Sequence, residues 1–369
     1  MSKHATNRQV TKSKASKKGV ASWLSRALVG GAAFAGAAAW VLAPRSQKDR
    51  ETNNVPGMPN VWYAHRGLHD AGSGLTKQYG QTDGDYIRLA RRMARRAGYG
   101  LGSGNDDRSI APENSLAAFA AACEAGYGIE LDLQLTADDK VVVVHDPDLL
   151  RVAGCDQRIA DLTYDQLRHI PLFPNPSVYG DAKAEILTPA EVQAEKIMPL
   201  PQQSQYQHVP LFSDVLKVVA GRVPIIVEYK FEGTTWGARQ RLLMESGDAL
   251  LRAYDGPYVV ESFNPMAMRW YRHCRPEVFR GQLSASAPFS AKSVDGLLTW
   301  IAGKFGFNWV SRPDFVAYDW HGGRSAQVRA ARALGATPVA WTPRSAEELA
   351  QCRSDFDYFI FEAFVPLQD

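Results

Sequence analysis

The stretch Ala111–Asp146, APENSLAAFAAACEAGYGIELDLQLTADDKVVVVHD, decides how the chain is read. In Gly128-Ile-Glu-Leu-Asp-Leu-Gln134, apolar and polar residues alternate, the period of a half-buried strand. Ile129, Leu131 and Leu133 point one way, and Glu130, Asp132 and Gln134 the other. Adjacent carboxylates repel unless a cation or a proton lies between them. Oxygen ligands of this kind suit hard divalent ions such as Mg2+ or Ca2+. Val141–Val144 reads as a second strand, separated from the first by Ala137-Asp-Asp-Lys140. That link is too short for a crossover helix, so the two strands pair as an antiparallel hairpin. Pairing Thr136 with Val141 sets His145 opposite Asp132, on the face of the carboxylates. A slip of one residue would send it to the other face.

Around this stretch the chain has 369 residues, 45% of them hydrophobic, enough for one large α/β domain or two ordinary ones. The net charge of +3 is small, and much of the basic excess lies near the N-terminus, so a nucleic-acid footprint is not indicated. Cys123, Cys155, Cys274 and Cys352 are scattered without a CxxC pair. They form no zinc module and no disulfide framework, with a single bridge left open.

Residues 1–26 are polar and basic and read as a disordered tail. The run 27–44, ALVGGAAFAGAAAWVLAP, is uncharged and just reaches the length that spans a bilayer. Lys and Arg crowd the side before it. The positive-inside rule then leaves the tail in the cytoplasm and the rest of the chain outside, held at the cell membrane by one N-terminal hydrophobic helix. The rival is a cleaved signal peptide and a secreted product, because small residues crowd the end of the run. Residues 45–60 read as a linker and 61–369 as the folded domain.

Within that domain, Val61–His65 has the form of a first strand ending in His65-Arg66-Gly67. Residues 69–110 and 173–207 read as insertions, the first carrying a basic helix near Tyr86–Ala97. Pro112 and Glu113 suit the first turn of a helix over Leu116–Ala125. Gly221–Lys230 is a buried strand ending in Glu228 and Lys230, and charges at the end of a buried run need partners. Strands and helices alternate from there to Glu362. Such alternation implies a mostly parallel sheet, and about eight strands over 300 residues fit a TIM (β/α)8 barrel with loop insertions. His65, Asp132, Glu228 and Trp341 all fall at C-terminal strand ends, where such barrels keep their active sites.

The motifs AHRGLHD, APENSLAAF, GYGIELDLQLTADDKVVVVHD, VPLFSDVL, VPIIVEYK, ESFNP and VAWTP follow one another in this order. The chain resembles the glycerophosphodiester phosphodiesterase family over roughly Val61–Val365. The resemblance implies a TIM barrel and metal-dependent hydrolysis of glycerophosphodiesters to glycerol 3-phosphate and an alcohol. It implies Glu130, Asp132 and Glu228 as ligands of Mg2+ or Ca2+, and His65 and His145 as the general acid and base pair. Arg66 and Lys230 match phosphate-holding groups, Glu113 and Asn114 line the site, and Phe263 and Trp341 match its walls. The implied partner is a small-molecule phosphodiester, with the membrane reached through the N-terminal segment. Departures are the roughly forty residues between the His-Arg-Gly and Pro-Glu-Asn motifs, Tyr229 in place of an aliphatic residue, and the second insertion. Two alternatives stand beside this reading. One is a phospholipase D-like hydrolase of intact lipids, with Phe305-Gly-Phe-Asn-Trp309 as an apolar rim. The other is a non-catalytic binding protein on the same barrel.

Overall fold

The computed structural model describes residues 36–70, 82–99, 111–170, 172, 208–233, 236–286 and 294–367. Its strands are β1 (Tyr63–Ala64), β2 (Gly128–Leu135), β3 (Val141–Val143), β4 (Asp148–Leu149), β5 (Cys155–Arg158) and β6 (Ile225–Tyr229). They continue with β7 (Tyr258–Ser262), β8 (Arg280–Ser284), β9 (Phe315–Asp319), β10 (Thr337–Trp341) and β11 (Tyr358–Phe361). In the order β1, β11, β10, β9, β8, β7, β6, β2, neighbouring strands pair in parallel, and β1 pairs back to β2. The eight parallel strands therefore close into a barrel of the kind the alternation predicts. Strand β3 pairs antiparallel to β2 outside the ring, and β4 with β5 forms a separate ribbon.

The principal helices are α1 (Gly84–Arg96), α2 (Leu116–Ala125), α3 (Phe212–Val219), α4 (Ala238–Arg252) and α5 (Pro265–Cys274). After them come α6 (Val294–Gly303), α7 (Asn308–Ser311), α8 (Ala326–Ala333) and α9 (Ala346–Cys352). Helix α2 starts where the Ser115 hydroxyl accepts from Ala118 N–H, and stops at Gly126, whose φ of 76° needs no Cβ relief. Helix α1 is the basic helix expected inside the first insertion. It is tied down by Arg91, whose Nε lies 2.9 Å from Asp70. The remainder of that insertion, 71–81 and 100–110, and the whole of 173–207 lie outside the described residues.

Alternation along the strands divides the core. Ile129, Leu131 and Leu133 of β2 pack outward beneath the helices, with Ala118, Phe119 and Ala122 of α2 in the same cluster. Inside the ring an apolar floor is built from Tyr63, Ile226, Val259, Phe279, Phe315, Val339 and Ile360. Phe279 and Phe315 stack at 5.6 Å, and a Cβ on Gly281 would stand 2.1 Å from the Phe315 ring. Only glycine lets that ring lie flat on β8. Two residues further along the same strands, the inward side chains are His65, Glu228, Glu261, Trp341 and Glu362. One set of strands thus carries an apolar layer below and a charged layer above.

Two expectations need correction. The hairpin forms, but in the other register: Leu135 pairs with Val141 and Leu133 with Val143, so Asp132 stands beside Val144. His145 escapes the consequence of the slip because β3 ends at Val143 and the backbone bends there, freeing it from strand alternation. The single membrane span over 27–44, and the cell-membrane location drawn from it, is also overturned. Residues 1–35 lie outside the described residues, and among the described residues no helix is long and apolar enough to cross a membrane. What is described of the run is a short helix over 36–42, and its end is docked on the barrel. Arg312 Nη1 donates to the carbonyls of Trp40 and Ala43 at 2.7 and 2.8 Å, and Trp40 stacks on Trp309 at 5.9 Å. All four cysteines are free.

Candidate active site

Glu130, Asp132 and Glu228 meet at the C-terminal ends of β2 and β6, where the register pairs Asp132 with Glu228. Each offers an oxygen atom, and these lie within 4.8 Å of one another in a fully buried setting. Positive charge faces them: Lys230 Nζ is 2.9 Å from Glu228 and 3.2 Å from Asp132 Oδ1, and Arg66 Nε is 3.5 Å from Asp132 Oδ2. Asn114, at φ 54°, donates from Nδ2 to Asp132 Oδ2 at 2.8 Å, and the Arg66 backbone N–H donates to Glu130 at 3.0 Å. Burial, then Asp132 and Glu228, push the Glu130 carboxyl well above its usual range. Burial raises Glu228 to about 7 against the pull of Lys230. For Asp132, burial is outweighed by Lys230, His145 and Arg66, and its carboxyl is held low. The cluster therefore stores carboxylate repulsion.

A divalent cation fits this set. The donors are hard oxygens, as Mg2+ and Ca2+ prefer, and Asp132 Oδ1 is buried with no hydrogen bond to satisfy it. An ion at the triad would coordinate Asp132 Oδ1, which has the Lys230 ammonium at 3.2 Å but makes no hydrogen bond, and would relieve the repulsion.

Two histidines stand at this layer, each with its ring fixed by a carboxylate. His65 Nδ1 lies 2.8 Å from Glu362 Oε2, which leaves Nε2 directed toward Glu130, 3.9 Å away. His145 Nδ1 lies 2.7 Å from Asp146. Burial and then Arg66 lower the His65 pKa to about 4, against the opposing pull of Glu362. The same two causes lower His145. Both rings are therefore neutral near pH 7, with Nδ1–H donated to the carboxylate and Nε2 left as a base.

Glu113 belongs to a different arrangement. Its oxygens take both Nη atoms of Arg151 at 2.6 Å and Nη1 of Arg66 at 2.9 Å, while Arg151 Nε reaches Asp146 at 2.5 Å. Burial would raise Glu113, but Arg151 and Arg66 hold it far below the usual range. Glu113 is thus saturated by guanidinium groups, and it orients Arg66. Phe263 and Trp341 meet edge to face at 5.8 Å, and Lys230 Nζ lies 6.0 Å from the Phe263 ring centre.

All the residues singled out from the sequence converge on one end of the barrel. Four further groups went unnoticed there. Asp146 and Glu362 hold the histidines, and Arg151 ties Glu113 to Asp146. Glu261 stands level with Glu228 on β7, buried, with Oε2 making no hydrogen bond. A charge inside Val259-Val-Glu-Ser262 was the available signal for Glu261, and the His145-Asp146 dipeptide for Asp146. Nothing local marks the Arg151–Glu113 pair, whose members are 38 residues apart.

Fold and site together define a (β/α)8 barrel protein whose strand ends gather three carboxylates able to hold a divalent cation, with Lys230 and Arg66 facing them. Comparison with known proteins is in accord. The profile of the Glycerophosphoryl diester phosphodiesterase family matches residues 103–357, and the chain belongs to that family. It is 40% identical over 87 residues to bovine (Bos taurus) glycerophosphodiester phosphodiesterase 1, a match covering 23% of this chain and 26% of that protein. It is 27% identical over 126 residues to a glycerophosphodiester phosphodiesterase of Bacillus altitudinis, covering 34% of this chain and 42% of that one. The matched stretches thus span less than half of these relatives' own lengths. The solved structure of an Oleispira antarctica phosphodiesterase in complex with the product sn-glycerol-3-phosphate superposes with a TM-score of 0.52 at 18% identity, covering 85% of this chain and 94% of that one. That likeness supports the fold.

Proposed function

We propose that the protein hydrolyses glycerophosphodiesters to glycerol 3-phosphate and an alcohol, using Mg2+ or Ca2+ held by Glu130, Asp132 and Glu228. The observation that carries the reading is the buried triad of carboxylates, with Lys230 and Arg66 facing it. A bound cation would supply Lewis-acid stabilisation of the charge that grows on the phosphoryl oxygens. Lys230 and Arg66 orient the phosphate and neutralise it from the other side. Arg66 keeps its direction because Glu113 grips it. His65 and His145 divide the proton transfers. The ring nearer the attacking hydroxyl, from water or the substrate's glycerol, takes its proton, and the other returns one to the departing alcohol. Glu362 and Asp146 hold the tautomers that leave each Nε2 ready. Asn114 fixes Asp132, and Phe263 and Trp341 form an aromatic wall. The product in the Oleispira antarctica structure, sn-glycerol-3-phosphate, is the one this reading requires.

The test is release of glycerol 3-phosphate from glycerophosphocholine by the full chain in Mg2+, Ca2+ or EDTA. Cation-dependent release, lost in His65→Ala and Glu130→Ala, is expected. Undiminished release in EDTA would remove the cation from the mechanism. No release from any phosphodiester would leave the barrel as a binding protein.

A further inference from the structure

Gln134 follows Glu130 and Asp132 on the same face of β2, and nothing in the proposed chemistry uses it. Its Nε2 donates to three carbonyl oxygens in a row, those of Val144, His145 and Asp146, at 3.0, 3.0 and 2.7 Å. An amide nitrogen carries two hydrogens, so the three acceptors share them. In an extended strand successive carbonyls point to opposite sides. Here three converge on one atom, and that convergence is the bend that takes His145 out of the alternation of β3. Carbonyl dipoles brought together repel, and part-buried oxygens without a donor cost free energy. The Gln134 amide answers both needs. The same segment is tied to the β2 backbone by Val144 N–H, which donates to the Asp132 carbonyl at 2.9 Å.

The hydrogen bond between His145 Nδ1 and Asp146 Oδ1, at 2.7 Å, fixes how the ring is turned. It does not fix where the ring stands, because chain neighbours move together. Arg151 Nε, 2.5 Å from Asp146 Oδ2, holds a side chain, whereas Gln134 holds the backbone of the bend. We infer that Gln134 is a positioning residue, whose amide sets the place of the His145 imidazole relative to the carboxylate triad. The inference rests on the hydrolytic reading above and adds a residue to it. One strand then carries two of the triad's carboxylates and the clamp on a proton-transferring ring. A strand rises about 3.3 Å per residue, so the clamp lies about 7 Å beyond Asp132 along β2. Gln134, His145, Asp146, Glu228 and Lys230 line one cavity of about 760 Å³. A misplaced His145 therefore acts at the substrate, where a displacement of about 1 Å costs on the order of 10²-fold in rate.

The experiment measures kcat and KM of the full chain on glycerophosphocholine with Mg2+ or Ca2+, and cation affinity by calorimetry. Gln134→Met keeps the length and removes the donors. Gln134→Glu keeps the shape and sets an acceptor against three acceptors. Each should lower kcat about 10–100-fold, Gln134→Glu the more, and shift KM and cation affinity less than about threefold. Two variants guard against one failing to fold, and an unchanged cation affinity shows the triad intact. A double-mutant cycle then asks through what Gln134 acts. In His145→Ala, where the ring is gone, either substitution should lower the remaining kcat less than about twofold. Full kcat in both variants overturns the inference. So does an undiminished loss in the His145→Ala background, which would make Gln134 a substrate contact or a part of the general fold. A rise in KM with kcat unchanged, or a collapse of cation affinity in both variants, overturns it as well. Where His145→Ala is too slow for the cycle, the split between kcat and KM decides. No hydrolysis of any diester by the parent chain overturns the hydrolytic reading and the inference with it, an outcome distinct from all the others.

Discussion

Two buried charge clusters lie side by side at the top of the barrel, and they are built in opposite ways. Around Glu113, two guanidinium groups occupy both carboxylate oxygens, and Asp146 takes what Arg151 has left. Around Asp132, the carboxylates of Glu130, Glu228 and Glu261 outnumber the cations Lys230 and Arg66, and two oxygens, on Asp132 and Glu261, make no hydrogen bond. A satisfied buried ion network acts as scaffold, and an unsatisfied one is held in readiness for a ligand. The difference separates residues that share a motif. Glu113 and Asn114 are chain neighbours, yet Glu113 serves the closed network and Asn114 the open one.

The contrast can be broken at several points. Glu130→Gln strikes the open cluster and should lower kcat/KM on the order of 10⁴-fold, the several kcal/mol a Lewis acid contributes. The cation-free protein should melt no lower than the parent, because a repelling carboxylate is gone. A marked fall in the melting temperature would show the cluster to be structural. Glu113→Ala strikes the closed cluster, strands two buried guanidiniums and should cost about 3–5 kcal/mol in denaturant unfolding. Loss of activity with full stability would reverse the assignment of the two networks. Glu362→Gln should lower kcat about 10–100-fold by releasing the His65 ring. Glu362 raises the His65 pKa, which lies at about 4, so its loss should move the acidic limb of the kcat/KM profile to lower pH. An unmoved limb would detach that limb from His65.

The smallest effect is expected at Glu261. Glu261→Gln should weaken Mg2+ or Ca2+ binding about tenfold, read by calorimetry. The open cluster also has its own pH signature. Glu228 is raised from 4.5 to about 7 and Glu261 well above its ordinary range, so the folded state holds protons that the unfolded chain has released. Cation-free stability should therefore decline as pH rises from 4.5 through about 7. The decline should be shallower in Glu261→Gln, and a saturating cation should flatten it. A rise in stability over that window would contradict the acid-rich reading.

The same division marks what could be read in the chain. Periodicity found the barrel strands, because each must bury one apolar face against helices and another against the floor. Strand β2 and its antiparallel partner were legible as a hairpin, but their register was not. It turned on whether Thr136 or Leu135 faces Val141, and both are buried. The open cluster was legible because carboxylates inside apolar strands are out of place without a ligand. Glu261 has the same mark but lay in a strand read for its shape alone. The closed network was hidden, since Arg151 meets Glu113 only through the fold, just as Glu362 meets His65. The apolar run 27–44 misled, because hydropathy does not distinguish lipid from a docking surface such as Trp309 and Arg312.

The barrel's ring is shut by its shortest member, β1, whose two residues pair with both β2 and β11. His65 follows it directly, and the carboxylate that sets its ring comes 297 residues later, at Glu362. The His65–Glu362 pair is thus assembled from the first and last strands of the barrel. A ribosome that has made everything up to β10 has produced the triad, Lys230 and His145, yet His65 is still free to turn. On the hydrolytic reading proposed above, a chain that stops before β11 would lack the carboxylate that sets the His65 ring.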